Sequence, residues 1–423
     1  MKGKNIGRIA LAMGMSVATV LGTASCSRDY TVAYVYTTSA QNASVSAFAV
    51  DYQAGVLTQI AGSPFTAGIG RNPDGLVASR NGKNLYVISH DDPDVTEFAI
   101  GTDGKLYGQN TYNTTGTFPT AIAIDTTGKF LYVTFTYQTG FTPASPGPGG
   151  ITVFPINSDG TLNNSGKFQV NVGFNPVSIA VSQPFCAATP LIAGNATCTG
   201  INGAGHQNVF VYVVDQEPAS NGTIVGFAQN TATGGLTLLA GSAPSGGTIT
   251  GYHAGIAPTS IAIDPTATYA YVSDKTANQI YGYRIANSTT GALTALSSSP
   301  YTTGLYPLNI TIDPRGKYLL SANYNAQSVS SFSINIADGS LGANSGSGNT
   351  QVATGPTCVA IEPALGIYVF TSNSIDGSVS GLQMNANTGQ LSAVPNTPFP
   401  TGQLPSCVTA VANGSHTQSI VNP

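Results

Sequence analysis

A proline that opens a short apolar run recurs at Pro73, Pro119, Pro176, Pro258, Pro307, Pro356 and Pro405, and the last three intervals are each 49 residues. A period of that length limits the fold more than any other feature of the chain. Each repeat is one supersecondary unit whose apolar faces only neighbouring repeats can cover, so the units must stack. The earlier intervals are 46, 57 and 82 residues, and the two long ones place insertions around residues 184–207 and 241–255.

Inside a unit the pattern is constant. In the fourth, residues 261–263 are an apolar strand, 264–268 a turn, 269–273 a Tyr-Val strand and 279–285 a strand whose side chains alternate. Period-two alternation rich in Val, Ile, Tyr and Phe predicts strands. A Gly-x-Leu step then opens a fourth strand at Gly55, Gly104, Gly160, Gly234, Gly291, Gly339 and Gly389. Glycine suits the positive φ of a tight hairpin turn there.

Four antiparallel strands in each of seven units predict an all-β, seven-bladed β-propeller. The end units agree with a closed ring. The first has a Tyr-Val strand at 32–36, an alternating strand at 44–50 and Gly55, but no proline-led strand; residues 405–412 supply one from the other end of the chain. An open solenoid, the alternative, would need capping repeats.

Residues 1–25 are set apart as an export signal, residues 30–412 as the propeller and 413–423 as a tail. Lys2, Lys4 and Arg8 precede a 13-residue apolar run at 9–21, too short to span a bilayer. Thr23, Ala24, Ser25 and Cys26 resemble the lipobox of bacterial lipoproteins, which implies lipidation of Cys26 and a cell-envelope location. Thr23 stands where Leu, Val or Ile is usual, so cleavage with periplasmic or secreted release is the alternative. Ser27, in place of the Asp that favours inner-membrane retention, implies the outer membrane.

Only 8% of the residues are charged and the formal net charge is −4. That leaves no basic footprint for nucleic acid. Four cysteines remain besides Cys26, and the expected pairs are Cys186 with Cys198, inside one insertion, and Cys358 with Cys407, at matching places in successive repeats. Buried free thiols are the alternative; a metal role lacks His or Asp at finger-like spacing. No metal or cofactor is expected.

The Tyr-Val strand followed by a polar turn resembles the YVTN-type repeat, and the whole chain after the signal is similar to the lactonase-type propellers that include 6-phosphogluconolactonases. That resemblance implies an Arg and a His beside the prolines of certain inner strands, and an Asn-Glu pair ending a Tyr-Val strand. The segments Pro119-Thr120-Ala121, Pro176-Val177-Ser178, Pro258-Thr259-Ser260 and Pro307-Leu308-Asn309 carry neither Arg nor His. Val213-Val214-Asp215-Gln216-Glu217 comes nearest to the Asn-Glu ending, with its Glu one residue late.

In a propeller the loops joining strand two to three, and strand four to the next blade, share one face and surround one mouth of the channel. That face is expected to carry Arg71, His90, Asp91, Asp92, Asp94, Asp215, Glu217, His253, Asp274, Lys275, Tyr306, Tyr324 and Asp376. Among these, Arg71, His90, Asp92, Asp215, Tyr306 and Tyr324 are candidate ligand contacts, and Glu217 with His253 is the candidate base and partner. The run His90-Asp91-Asp92-Pro93-Asp94 offers oxygen ligands for a divalent cation, or else is a solvated turn. Phe118, Phe174 and Tyr252 join the two tyrosines as surfaces for stacking on a sugar, or as plugs covering strand ends. The sequence therefore points to an exported binding or scaffold module, expected as a monomer, whose partner is a glycan, a peptide, an envelope protein or a small sugar lactone. A lactone hydrolase with a non-standard active site, and a metal- or cofactor-dependent redox propeller, are the alternatives.

Overall fold

The computed structural model describes residues 30–184, 208–216, 221–242, 244–245, 248–249, 251–286, 290–343 and 349–414. Seven antiparallel sheets, each with four main strands in sequential order from the inside outwards, form the blades. The innermost strands are Pro73–Ala78, Thr117–Ile124, Pro176–Val181, Pro258–Ile263, Pro307–Ile312, Pro356–Ile361 and Pro405–Ala412, belonging to blades one to seven. Blade seven takes its other three strands, Thr31–Ser39, Ser44–Asp51 and Leu57–Gln59, from the beginning of the described chain. Tyr36 lies opposite Thr409 where the two ends pair. The ring thus closes through hydrogen bonds between distant parts of the sequence.

The core is not one mass but seven, each between two adjacent blades. In blade four, Tyr269 and Tyr271 pack towards blade five, while Ala270 and Val272 pack towards blade three. Both faces of a second strand are therefore buried. That explains why these strands read as continuous apolar runs, and why so few charged residues are present: a sheet covered on both sides has no solvated face to carry them.

The two most regular sequence signals meet across each interface. The Tyr271 hydroxyl donates to the carbonyl of Gly339 in the next blade at 2.8 Å, and Tyr36, Tyr86, Tyr132 and Tyr212 do the same to Gly104, Gly160, Gly234 and Gly291. All seven Gly-x-Leu glycines have positive φ. A Cβ on Gly339 would lie 2.4 Å from the ring of Tyr269, so the position needs glycine for space as well as for φ.

The fourth strand differs from the single strand expected. In blades four and six it is split into Leu293–Ala295 with Tyr301–Thr302, and Leu391–Ala393 with Phe399–Pro400. In these two blades a Ser-Pro or Thr-Pro step lies in the gap, where proline brings no N–H to the ladder. Blades three and five are split too, into Leu236–Leu238 with Tyr252–His253 and Leu341–Ala343 with Asn349–Gln351. The hydroxyls of Ser299 and Thr397 accept from the N–H groups of Gly282 and Gly381 in the third strand, replacing the lost strand contact.

A disulfide joins Cys358 to Cys407, whose Cα atoms are 4.9 Å apart, and so ties blade six to the closing strand. Cys26, Cys186 and Cys198 lie outside the described residues. Among the described residues no helix is long and apolar enough to cross a membrane.

Candidate functional site

The chain direction fixes which residues reach the channel. A second strand ends three residues after its central position, at Ser39, Ser89, Asp215, Asp274, Asn323 or Asn373, and each of these side chains is wholly buried. Ser39, Asp215, Asp274 and Asn323 hold the loops that bridge successive blades, whereas Asn373 bonds Ser378 and Ser380 of its own hairpin. Asp215 accepts from the N–H of Gly173 at 2.9 Å, and Asp274 accepts from the N–H groups of Ile256, Thr276 and Ala277. The YVTN-type polar ending is thus a loop anchor in this protein, Asp215 included. The next residue along turns to the mouth, where Ala40, Gln216, Lys275 and Ser374 line a cavity of about 410 Å³.

The rest of that cavity comes mostly from the residues that follow the inner prolines. Asp74, Val177, Thr259, Leu308, Thr357 and Ser406 all line it. Four hydroxyls at this register close the ring by donating to the next blade's proline carbonyl: Thr120 to Pro176, Thr259 to Pro307, Thr357 to Pro405 and Ser406 to Pro73. Val177 and Leu308 have no such donor. Asp74 is the exception in charge, the one ionisable side chain on the seven innermost strands. Water reaches it through the mouth, but the inner strands wall it in. That desolvation pushes its carboxyl above the usual carboxylate range, against the favourable field of His90 and with that of Asp91.

Lys275 lines the same cavity and carries its positive charge. Its ammonium lies 5.8 Å from the centre of the Tyr306 ring, which in turn packs 6.1 Å from Tyr324. The two tyrosines expected as contacts therefore meet beside a cation. On the other flank the Phe118 ring sits 5.2 Å from His90 and 6.0 Å from Tyr137.

The rim is strained. The residue before the inner proline has positive φ in six of the seven blades, at Asn72, Phe118, Asn175, Tyr306, Gly355 and Leu404. Asn and Gly accept that conformation readily, whereas Phe118, Tyr306 and Leu404 hold it at a cost of about 1–2 kcal/mol each.

Other expected residues are engaged elsewhere. Arg71 grips Asp92 through both its side chain and its backbone N–H, and that pairing holds the Asp92 carboxyl below its usual range. His90 Nδ1 is 2.8 Å from Asp91. The run from His90 to Asp94 is thus a turn braced by its own neighbours, and no cluster able to hold a metal ion is present among the described residues. His253 is paired at the outer part of blade three, opposite Thr223, with its ring 5.4 Å from Tyr281. It lines neither the mouth nor the groove beside it. Glu217 lies outside the described residues.

Sequence reasoning missed Asp74 and Gln216. Asp74 had a signal, an acid directly after an inner proline. Gln216 occupies the register that turns to the mouth, which is where the late Glu of the sequence was expected to act.

The sequence matches the family described as "Lactonase, 7-bladed beta-propeller" over residues 31–184 and 206–361. A proposed 6-phosphogluconolactonase from Bacteroides uniformis is 18% identical, with a TM-score of 0.66 over 90% of this chain and 100% of that one. The periplasmic gluconolactonase of Pseudomonas aeruginosa is 16% identical, with a TM-score of 0.65 over 90% of this chain and 99% of that one. At these identities the likeness establishes the fold. No curated protein matches the sequence.

Proposed function

The chain belongs to the seven-bladed lactonase β-propeller family, and from that premise we propose that it is an exported propeller, held at the bacterial envelope through Cys26, that binds a small, neutral, polyhydroxylated molecule at its channel mouth. One observation carries this reading. Among the described residues, the mouth cavity is lined by a single acid, Asp74, and a single base, Lys275, with threonine, serine and amide groups between them and no Arg or His. A phosphorylated ligand would require several cationic donors to replace its hydration, and one lysine opposed by an aspartate does not supply them. A sugar or sugar lactone asks for hydroxyl and amide partners and one or two charged groups to orient it. The cavity volume of about 410 Å³ suits such a ligand.

The face opposite the mouth supports the tether. Thr31 begins the second strand of blade seven, and second strands run towards the mouth, so the described chain enters the ring on the face opposite the mouth, the side on which an anchor at Cys26 would lie. More than one acyl chain makes such an anchor stable.

Hydrolysis of a neutral lactone is the second reading, favoured by Asp74 and Lys275 sharing one cavity. Asp74 would take a proton from water as the water oxygen adds to the lactone carbonyl, Lys275 would stabilise the oxyanion, and Asp74 would return the proton to the ring oxygen as its C–O bond breaks, giving the hydroxy acid.

Titration calorimetry with D-glucose, cellobiose and D-glucose 6-phosphate, alongside hydrolysis assays with D-glucono-1,5-lactone, tests both. Binding of a neutral sugar weakened at least tenfold by Lys275→Met, with no binding of the phosphate ester, is expected. Preference for the phosphate ester overturns the proposal. Hydrolysis well above the spontaneous rate, abolished by Asp74→Asn, promotes the second reading. Cys26→Ser is expected to move the protein from the membrane to the soluble fraction.

A further inference from the structure

Beside the mouth lies a second cavity of about 500 Å³, formed where blades two, three and four meet. Its wall includes Tyr137, Phe174, Asn175, Gln216 and Ile256, and no charged side chain is among its described lining residues. We infer that this cavity is an extended subsite for a neutral oligosaccharide, so that the molecule bound at the mouth is the end unit of a glycan chain rather than a free monosaccharide. The inference rests on the reading of the mouth given above and adds the ligand's length.

Three observations converge on it. The two cavities meet at Gln216, which lines both. Its side chain is fixed between them, donating to the carbonyl of Pro258 at 2.7 Å and accepting from Asn175 at 3.3 Å. A ligand leaving the mouth over Gln216 therefore enters the second cavity directly. Each cavity alone has the size of a small-molecule site, and the two in line exceed what one sugar ring fills.

The second cavity also has the chemistry of a sugar platform. Tyr137 and Phe174 line it with aromatic rings of the kind that stack on the C–H surfaces of a pyranose, while Asn175, Gln216 and the Thr136 hydroxyl bring polar groups to the wall. Tyr137 is held by the edge-on contact with Phe118. Asn175 takes its place with φ of 45°, a conformation asparagine adopts readily. The described wall carries no charge to meet the ionised groups of a peptide or an acidic glycan.

Titration calorimetry of the full-length protein with cellopentaose, xylopentaose, chitopentaose and an uncharged blocked pentapeptide, each sugar compared with its monosaccharide, decides the matter. At least one pentasaccharide is expected to bind tenfold or more tightly than its monosaccharide. Tyr137→Ala and Phe174→Ala should each remove that gain while leaving monosaccharide affinity within twofold. Where alanine lowers the melting temperature, Tyr137→Leu and Phe174→Leu keep apolar volume but still remove the ring. Equal affinity for one and five units overturns the inference and leaves the mouth reading standing, as does a gain insensitive to both rings. Binding of the pentapeptide with no pentasaccharide gain assigns the groove to peptides and overturns it too. Failure of every sugar at either length overturns both.

Discussion

The Tyr271 hydroxyl reaches 2.8 Å across a blade interface to the carbonyl of Gly339, a residue 68 positions later in the sequence. Both groups are buried, and the glycine sits under the ring of Tyr269. The tyrosine of one repeat and the glycine of the next are thus one structural device. Tyr271→Phe leaves the carbonyl unpaired and should cost about 1–3 kcal/mol. Gly339→Ala should cost more, because its φ of +76° and the 2.4 Å approach of the ring add strain to overlap. Calorimetric melting of both variants checks the order; a Gly339→Ala protein as stable as wild type would contradict the packing.

The closing strand Pro405–Ala412 is held by pairing with Thr31–Ser39 and by the bond from Cys358 to Cys407. Replacing both cysteines by serine should lower stability by about 2–4 kcal/mol, since the unfolded chain regains the freedom that the link removes. Removing residues 405–423 should do far more, because it exposes the inner edge of blade seven. Denaturant unfolding with and without reductant separates the two effects.

At the start of the third strand of blade one, Asp94 has its carboxyl pushed up to about 6, chiefly by burial and in part by the nearby charge of Asp92. A carboxyl whose pKa is higher in the folded state stabilises fully below its unfolded value of about 3.9, and that contribution fades as pH rises through about 6. Asp94→Asn should therefore match wild type near pH 4 and exceed it above pH 7, by an amount on the order of 1 kcal/mol. Melting curves across pH 4–8 read the difference, and parallel curves for the two proteins would refute it.

Asp74 stands where Thr120, Thr259, Thr357 and Ser406 each donate to the next blade's proline. Asp74→Thr should stabilise the ring by about 1 kcal/mol at pH 7 by gaining one hydrogen bond to the next blade. It should also weaken ligand binding at the mouth. A more stable protein with weaker binding would show that Asp74 is kept for function, whereas a less stable one would place it in the ring's own support.

The architecture was legible in the sequence because each repeat carries its own instructions. The proline that opens an inner strand, the Tyr-Val strand and the Gly-x-Leu turn are local signals, and seven copies settle the blade number. Even the sharing of blade seven could be read from a missing proline at one end and an extra one at the other. The site was less legible. Asp215, chosen for its charge, is a loop anchor, while its neighbour Gln216 faces the mouth; one step along a strand reverses the direction of a side chain, and only strand register decides which one points inwards. His253 and Arg71 are near the mouth in the repeat pattern, yet one pairs at the outer part of its blade and the other is spent on Asp92. Asp74 comes to face the mouth cavity only because the other inner strands close the ring around it. Sequence determines what each blade is, because a blade is built from neighbours along the chain; the mouth cavity is lined by residues from six blades, and only closure of the ring brings those together.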